Sequence, residues 1–171
     1  MGGKCIWITG LPGSGKTTLA RLVGAELERR GEPVSYFDGD IVRASLSAGL
    51  GFGRKDRDEN VMRVANAAAR LVAEGQVVIV SLVSPYREAR RRARRVVSAA
   101  GPFIEVHADS PLATCVARDP KGLYARALAG LVTGVTGIDD PYEPPLSCEV
   151  VVCTDGPSEQ QSADVVLARI G

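Results

Sequence analysis

The stretch Gly10-Leu11-Pro12-Gly13-Ser14-Gly15-Lys16-Thr17 decides the fold, because it satisfies the phosphate-binding loop pattern G-x-x-x-x-G-K-[ST] without a gap. Upstream, residues 4–9 (KCIWIT) are short, apolar and rich in strand-favouring types. Downstream, Leu19, Val23 and Leu27 recur on one helical face. A strand, a glycine-rich turn and a helix are the context this loop requires. Gly10, Gly13 and Gly15 let backbone N–H groups turn inward around phosphate oxygens at the helix N-terminus, with Leu11, Pro12, Ser14 and Thr18 completing the cradle. Lys16 is expected to reach the terminal phosphates and the Thr17 hydroxyl to bind magnesium, so the loop implies ATP and Mg²⁺. A glycine-rich turn before an ordinary surface helix is the bland alternative, and the flanking pattern weighs against it.

Outward from the loop, strands and helices alternate. The first helix ends near Gly31, and a second strand over 33–38 stops at the acidic turn Asp38-Gly39-Asp40. A short helix is predicted over 41–46, then a glycine-broken loop carrying Phe52. Val61, Ala65, Ala68 and Val72 mark a helix within 56–74 that Gly75 stops. The unbroken apolar run 77–80 reads as a central strand covered on both faces. A helix from Arg87 carries six arginines up to Arg95. They spread around it rather than forming one stripe, so most of that charge is expected in solvent. A strand over 103–106, a helix over 111–118, an irregular segment over 119–147 read as a lid, a strand over 149–153 and a helix capped by Ser158 and Gln161 complete the chain. The fold class is α/β: a P-loop kinase fold with a central parallel five-stranded sheet, helices on both faces and a mobile lid, in one domain spanning 1–171.

Composition narrows the partners. The chain has 171 residues, with 21 basic and 20 acidic side chains, so no global field points to nucleic acid or a membrane surface. It has no charged start followed by an apolar signal or spanning segment, which predicts a cytoplasmic setting. Cys5, Cys115, Cys148 and Cys153 form no C-x-x-C pair and are expected to be buried thiols. His107, the single histidine, closes an apolar run and reads as a strand-end residue rather than a base.

The loop together with Asp38-Gly39-Asp40, Arg43, 56–60 (DRDEN), 84–87 (SPYR), 118–124 (RDPKGLY), 136–139 (TGID) and 142–144 (YEP) resembles the adenylylsulfate kinase (APS kinase) family in order and approximate spacing over about residues 4–154. Lys-Gly-Leu-Tyr followed by Thr-Gly-Ile-Asp after a phosphate loop is the specific part. The resemblance implies transfer of the ATP γ-phosphoryl group to the 3′-hydroxyl of adenosine 5′-phosphosulfate (APS), giving PAPS, with members often homodimers. By that match Asp40 is the carboxylate that meets the attacking hydroxyl and joins Thr17 at magnesium, and Asp38 stands beside it. Arg43, Arg57 and Asn60 are candidates for the phosphosulfate, Phe52 for the acceptor base, and Ser84, Lys121 and Leu123 for other acceptor contacts. Arg118 is a candidate to stack on the ATP base. Arg87 is an equally open choice between substrate contact and solvation.

Phosphoryl transfer asks a protein mainly to position two anions and neutralise charge, so direct transfer is favoured over a phosphoserine at Ser84. Three residues depart from the family pattern. Val135 stands where Phe is expected to stack on the acceptor adenine, Ile41 where Asn follows Asp-Gly-Asp, and Gly53 where Ser follows Gly-Phe. They leave open a kinase of another small hydroxyl compound or nucleoside. A non-catalytic nucleotide-binding module is the reading of a different class.

Overall fold

The computed structural model describes residues 2–171. Its elements in order are β1 (Lys4–Thr9), α1 (Lys16–Arg29), β2 (Val34–Asp38), α2 (Gly39–Ala44), α3 (Arg54–Ala73), β3 (Val77–Ser81), α4 (Arg87–Ser98), β4 (Phe103–Asp109), α5 (Leu112–Arg118), α6 (Leu123–Leu128), β5 (Val150–Cys153) and α7 (Glu159–Ile170). The strands form one parallel sheet in the order β2-β3-β1-β4-β5. The α/β expectation therefore holds, including the central strand. All five residues of β3 are buried, and each of its aliphatic side chains contributes about 1.5–3 kcal/mol through burial.

Strand alternation sorts the apolar side chains into two cores. Cys5, Trp7, Val78 and Val80 face α3 and α4, meeting Val61, Val64, Ala68, Ala89, Ala93 and Val97. Ile6, Ile8, Val77 and Ile79 face α1 and α7, meeting Leu19, Val23, Leu27, Ala163 and Val166. Trp7 stacks on Phe103 with ring centroids 5.7 Å apart. A third, smaller cluster of Cys115, Tyr124 and Val135, with Leu11, Leu123 and Val132 against it, lies beside the phosphate loop.

Register brings the working ends of the strands together. Asp38 lies opposite Ser81, Ser81 opposite Ile8, and Thr9 opposite His107, so the carboxyl ends of β2, β3, β1 and β4 form one edge. Element boundaries shift slightly from the sequence reading. Helix α2 starts at Gly39 because the Asp38 carboxylate accepts the Asp40 N–H at 3.1 Å and caps it. Helix α7 has the expected capping box of Ser158 and Gln161.

Two expectations are corrected. Only Cys5 and Cys115 are buried; Cys148 is half-buried and Cys153 exposed, because β5 is an edge strand with Val151 and Cys153 on an uncovered face. The arginines of α4 are also divided. Arg91, Arg92 and Arg95 are exposed, whereas Arg94 is half-buried and Arg90 is only 3% exposed.

Candidate active site

A single cleft of about 1210 Å³ runs along the carboxyl edge of the sheet, from the phosphate loop to the start of α3. Pockets for one small molecule span roughly 300–1,000 Å³, so the cleft lies above the range of a single-ligand pocket.

Its donor half is built by backbone. Gly13 (φ 76°) and Gly15 (φ 85°) adopt left-handed conformations that other residues rarely enter, and Gly15 opens α1. Gly10 permits a close approach, since a Cβ there would lie 2.6 Å from the Ala108 carbonyl oxygen. The Ser14 hydroxyl is buried behind the loop against Gly10, off the cleft lining and with no partner among the described residues. The Leu11 side chain serves the cluster around Tyr124 rather than the cleft. Its carbonyl accepts a 2.7 Å hydrogen bond from the Lys16 ammonium. Burial pulls the Lys16 pKa down to about 8, against the smaller opposing pulls of Cys115 and Asp38. Arg118 reaches from α5 to the carbonyl oxygens of Gly13 and Thr154. It lines the cleft with Thr154, Gly156 and Pro157 of the β5–α7 loop.

Between the halves lies an acidic junction. Asp38 Oδ2 accepts the Thr17 hydroxyl at 2.7 Å, so the carboxylate next to Thr17 is Asp38. Asp40 points elsewhere, exposed and paired with Lys121 of the lid. The sequence reading set Thr17 and Asp40 together at magnesium; the direct hydrogen-bond partner of Thr17 is Asp38, because strand alternation aims Asp38 at the face of the sheet that carries α1, while Asp40 begins a helix. Ser81, the residue in register with Asp38, lines the same junction, buried and with its hydroxyl unpartnered. These groups fit a magnesium–nucleotide complex, because Mg²⁺ keeps several waters and is held by one or two protein oxygens plus phosphates.

The acceptor half is assembled from side chains of separate stretches. Arg43 donates to the Gly51 carbonyl at 2.6 Å and lies over the Phe52 ring, 4.7 Å from its centroid. Phe52 is 65% exposed and available for stacking. Asn60 is buried with its Oδ1 unpartnered, one helical turn from Arg57, which is also buried. Arg57 donates to the Phe52 carbonyl at 2.7 Å, to Thr136 Oγ1 at 2.8 Å and to the Gly134 carbonyl. It thus braces the far wall of the cleft and is itself part of the lining. Leu123 and Lys121 border the opening.

Residues 134–144 are tied down on every side. The Asp139 carboxylate accepts the N–H groups of Gly134 at 2.7 Å and Val135 at 2.6 Å, which hold its pKa below the usual range. Tyr86 donates to Asp140 at 2.8 Å, and the Tyr142 hydroxyl lies 3.1 Å from Thr9 Oγ1. Burial, helped by Asp140, raises the Tyr86 pKa to about 12. Ser84, 3% exposed, lines the cleft, and its hydroxyl accepts a 3.1 Å hydrogen bond from the Trp7 indole. Arg87 donates to the Pro144 carbonyl at 2.7 Å and stands off the cleft lining among the described residues, as does His107, half-buried against Tyr142. Of the three departures from the family pattern, only Val135 lines the cleft. Ile41 is 67% exposed and Gly53 serves as the N-cap of α3. Sequence reasoning missed Ser81 and the Thr154–Pro157 loop, although the rule that ligands sit beyond the carboxyl ends of parallel strands points to both.

Comparison with known proteins agrees with this layout. The family model described as adenylylsulphate kinase matches residues 2–153. An adenylyl-sulfate kinase of Synechococcus sp. (strain JA-2-3B'a(2-13)) is 49% identical over 98% of this chain and 94% of its own. One from Chloroflexus aurantiacus is 48% identical over 98% and 89%. The solved structure of Mycobacterium tuberculosis APS kinase CysC in complex with AMPPNP and APS superposes with a TM-score of 0.95 at 42% identity, covering 98% of this chain and 97% of that one. No helix among the described residues is long and apolar enough to cross a membrane. On the sequence match, the extent of coverage and the shared fold, the chain belongs to the adenylylsulphate kinase family.

Proposed function

We propose that the chain transfers the γ-phosphoryl group of ATP directly to the 3′-hydroxyl of APS, releasing ADP and PAPS. The observation that carries this reading is the continuity of the cleft, with the phosphate loop at one end, the Arg57–Asn60–Phe52 wall at the other and Asp40 between them. Loop amides and Lys16 hold the donor phosphates. Thr17, Asp38 and Ser81 are the residues that would hold magnesium directly or through its waters, and bound Mg²⁺ would neutralise developing charge. Asp40 accepts a hydrogen bond from the attacking hydroxyl and takes its proton as the new bond forms, once Lys121 has turned from it to the substrate. Arg43 and Arg57 orient the phosphosulfate, Asn60 supplies a neutral contact, and Phe52 carries the adenine on one face. Arg118 packs on the ATP base.

Ser84 lines the cleft, but its hydroxyl is already engaged, accepting from the Trp7 indole and donating to the Leu82 carbonyl, which supports direct transfer over a phosphoserine. The lid proper is residues 119–133. Its closure brings Lys121 to the reactants and excludes water. A homodimer belongs to the same proposal and rests on the family resemblance, while a single domain and a cytoplasmic setting are carried into it from the reading of chain length and composition. ADP release measured with APS and with a panel of nucleosides tests the reaction. A saturable rate with APS is expected, and a rate no higher than the ATPase background would refute it.

A further inference from the structure

Helix α4 presents arginines to solvent, yet Arg90 turns inward and is 3% exposed. Its Nε donates to Glu105 Oε1 of β4 at 2.7 Å, its Nη1 to the Ser84 carbonyl at 2.6 Å, and its Nη2 to the Glu143 carbonyl at 2.7 Å. The guanidinium also lies over the Tyr142 ring, 5.8 Å from its centroid. One planar group thereby joins three stretches far apart in sequence: a sheet strand, the turn after β3 and the strap after the lid. A lysine offers no such fork.

The strap lies behind the acceptor half, bracing Thr136 and Arg57, which line it. Glu143 is fixed again by its N–H to the Pro85 carbonyl at 2.8 Å and by its carboxylate, which accepts the Arg87 N–H at 2.8 Å. Three residues earlier, Asp140 lies 3.8 Å from Arg57 and 3.4 Å from the Thr136 hydroxyl. Ser84, with φ 40°, sits in a left-handed conformation that a serine holds only when its surroundings impose it. Arg90 binds its carbonyl and Trp7 its hydroxyl. A buried ion pair seldom adds net stability over apolar packing, so the Arg90–Glu105 pair is better explained by what it holds in place than by stability.

We propose that Arg90 is a positioning residue for the acceptor: it fixes the 139–144 strap and the Ser84 turn, and through Asp140 and Thr136 sets where Arg57 meets the substrate anion. This rests on the proposed reaction with APS. The test is Arg90→Lys, which retains the charge and loses the fork. Initial rates are taken with each substrate varied, and amide hydrogen exchange is followed at Gly137, whose N–H donates to the Asp140 carbonyl at 2.8 Å, and at Glu143. The expected result is a KM for APS raised about tenfold with kcat reduced no more than about threefold and the KM for ATP unchanged. Exchange at the two amides should also accelerate relative to the β1 and β3 amides. A variant with a lower Tm but an unchanged APS KM, or with both KM values raised alike, overturns the proposal. Should Arg90→Lys not fold, Tyr142→Phe loosens the same strap from its Thr9 side. An unaltered APS KM with unaltered strap exchange there refutes it too. If the native chain shows no saturable rate with APS, the functional reading fails by itself, and the exchange measurement still decides whether Arg90 holds the strap.

Discussion

The two halves of the cleft are built by opposite means. The donor half is centred on one continuous strand, loop and helix over 4–29, whose backbone supplies the phosphate contacts and whose glycines set the shape, with Arg118 and the β5–α7 loop closing its far end. The acceptor half draws on α2, the Phe52 loop, α3 and the 134–144 segment. These are held together by side chains such as Arg57, Tyr86 and Asp139. A contiguous site loses function when one group is removed, while its shape persists. A braced site loses shape when a brace is removed, and function follows.

Lys16→Ala should show the largest effect. Removing the ammonium from the donor phosphates is expected to lower kcat/KM by about a thousandfold or more, with no loss of Tm. Burial disfavours the charged ammonium in the folded chain, a cost that the alanine relieves. A variant retaining a tenth of native activity would break the assignment. Asp40→Asn comes next, with kcat expected to fall on the order of a hundredfold to ten-thousandfold and the APS KM nearly unchanged, because the amide keeps the size and loses the acceptor for the proton. Arg57→Lys tests the other half. Loss of the contacts to Phe52, Gly134 and Thr136 should raise the APS KM by roughly tenfold to thirtyfold while the ATP KM stays put. An equal rise in both would mean that the halves are not separable.

Lys16 also gives the donor half a pH signature. Its pKa of about 8 in the folded chain lies below the ordinary 10.5. The charged form is therefore disfavoured by folding at pH values below about 8. As pH rises from about 8 towards 10.5, the unfolded chain holds the extra proton and stability recovers. Donor phosphates act the other way and raise the pKa, so binding of ATP near pH 8 should take up a proton. Calorimetry in two buffers of different ionisation enthalpy should show uptake of a fraction of a proton per site, and none in Lys16→Arg. Equal heats in both buffers for the native chain would remove the role of burial.

What the sequence revealed follows the same division. The individual strands, the loop and the positions of Lys16 and Thr17 within it were legible because each depends on near neighbours in sequence, and the alternation of strands with helices implied the parallel sheet. The partner of Thr17 was not, because whether Asp38 or Asp40 turns to α1 depends on strand alternation and on the cap that starts α2 two residues early. The buried Arg90 was hidden among five other arginines on one helix; only the sheet behind it distinguishes it. Ile41 and Gly53 looked like changes to the acceptor pocket because they flank motif residues, yet in space they face solvent and cap a helix.

Val135 tests the comparison most finely. In the family pattern an aromatic ring at this place stacks on the acceptor base, and such stacking contributes about 1–3 kcal/mol per base. In this chain Val135 lines the cleft but is only 4% exposed, and its side chain belongs to the small cluster of Cys115 and Tyr124. A phenylalanine there has two places to go. Turned inward, it overfills the cluster at a cost of about 1–3 kcal/mol; turned outward, it meets the base opposite Phe52. The cluster is bounded by Leu11 and Leu123, whose neighbours fix the loop and α6, so it cannot expand cheaply and the outward rotamer should win. Val135→Phe is therefore expected to lower the APS KM by about threefold to tenfold with little change in Tm. It should also sharpen discrimination against acceptors carrying a different base. A lower Tm with an unchanged APS KM would mean that the position is part of the core in this chain and that Phe52, backed by Arg43, carries the base alone.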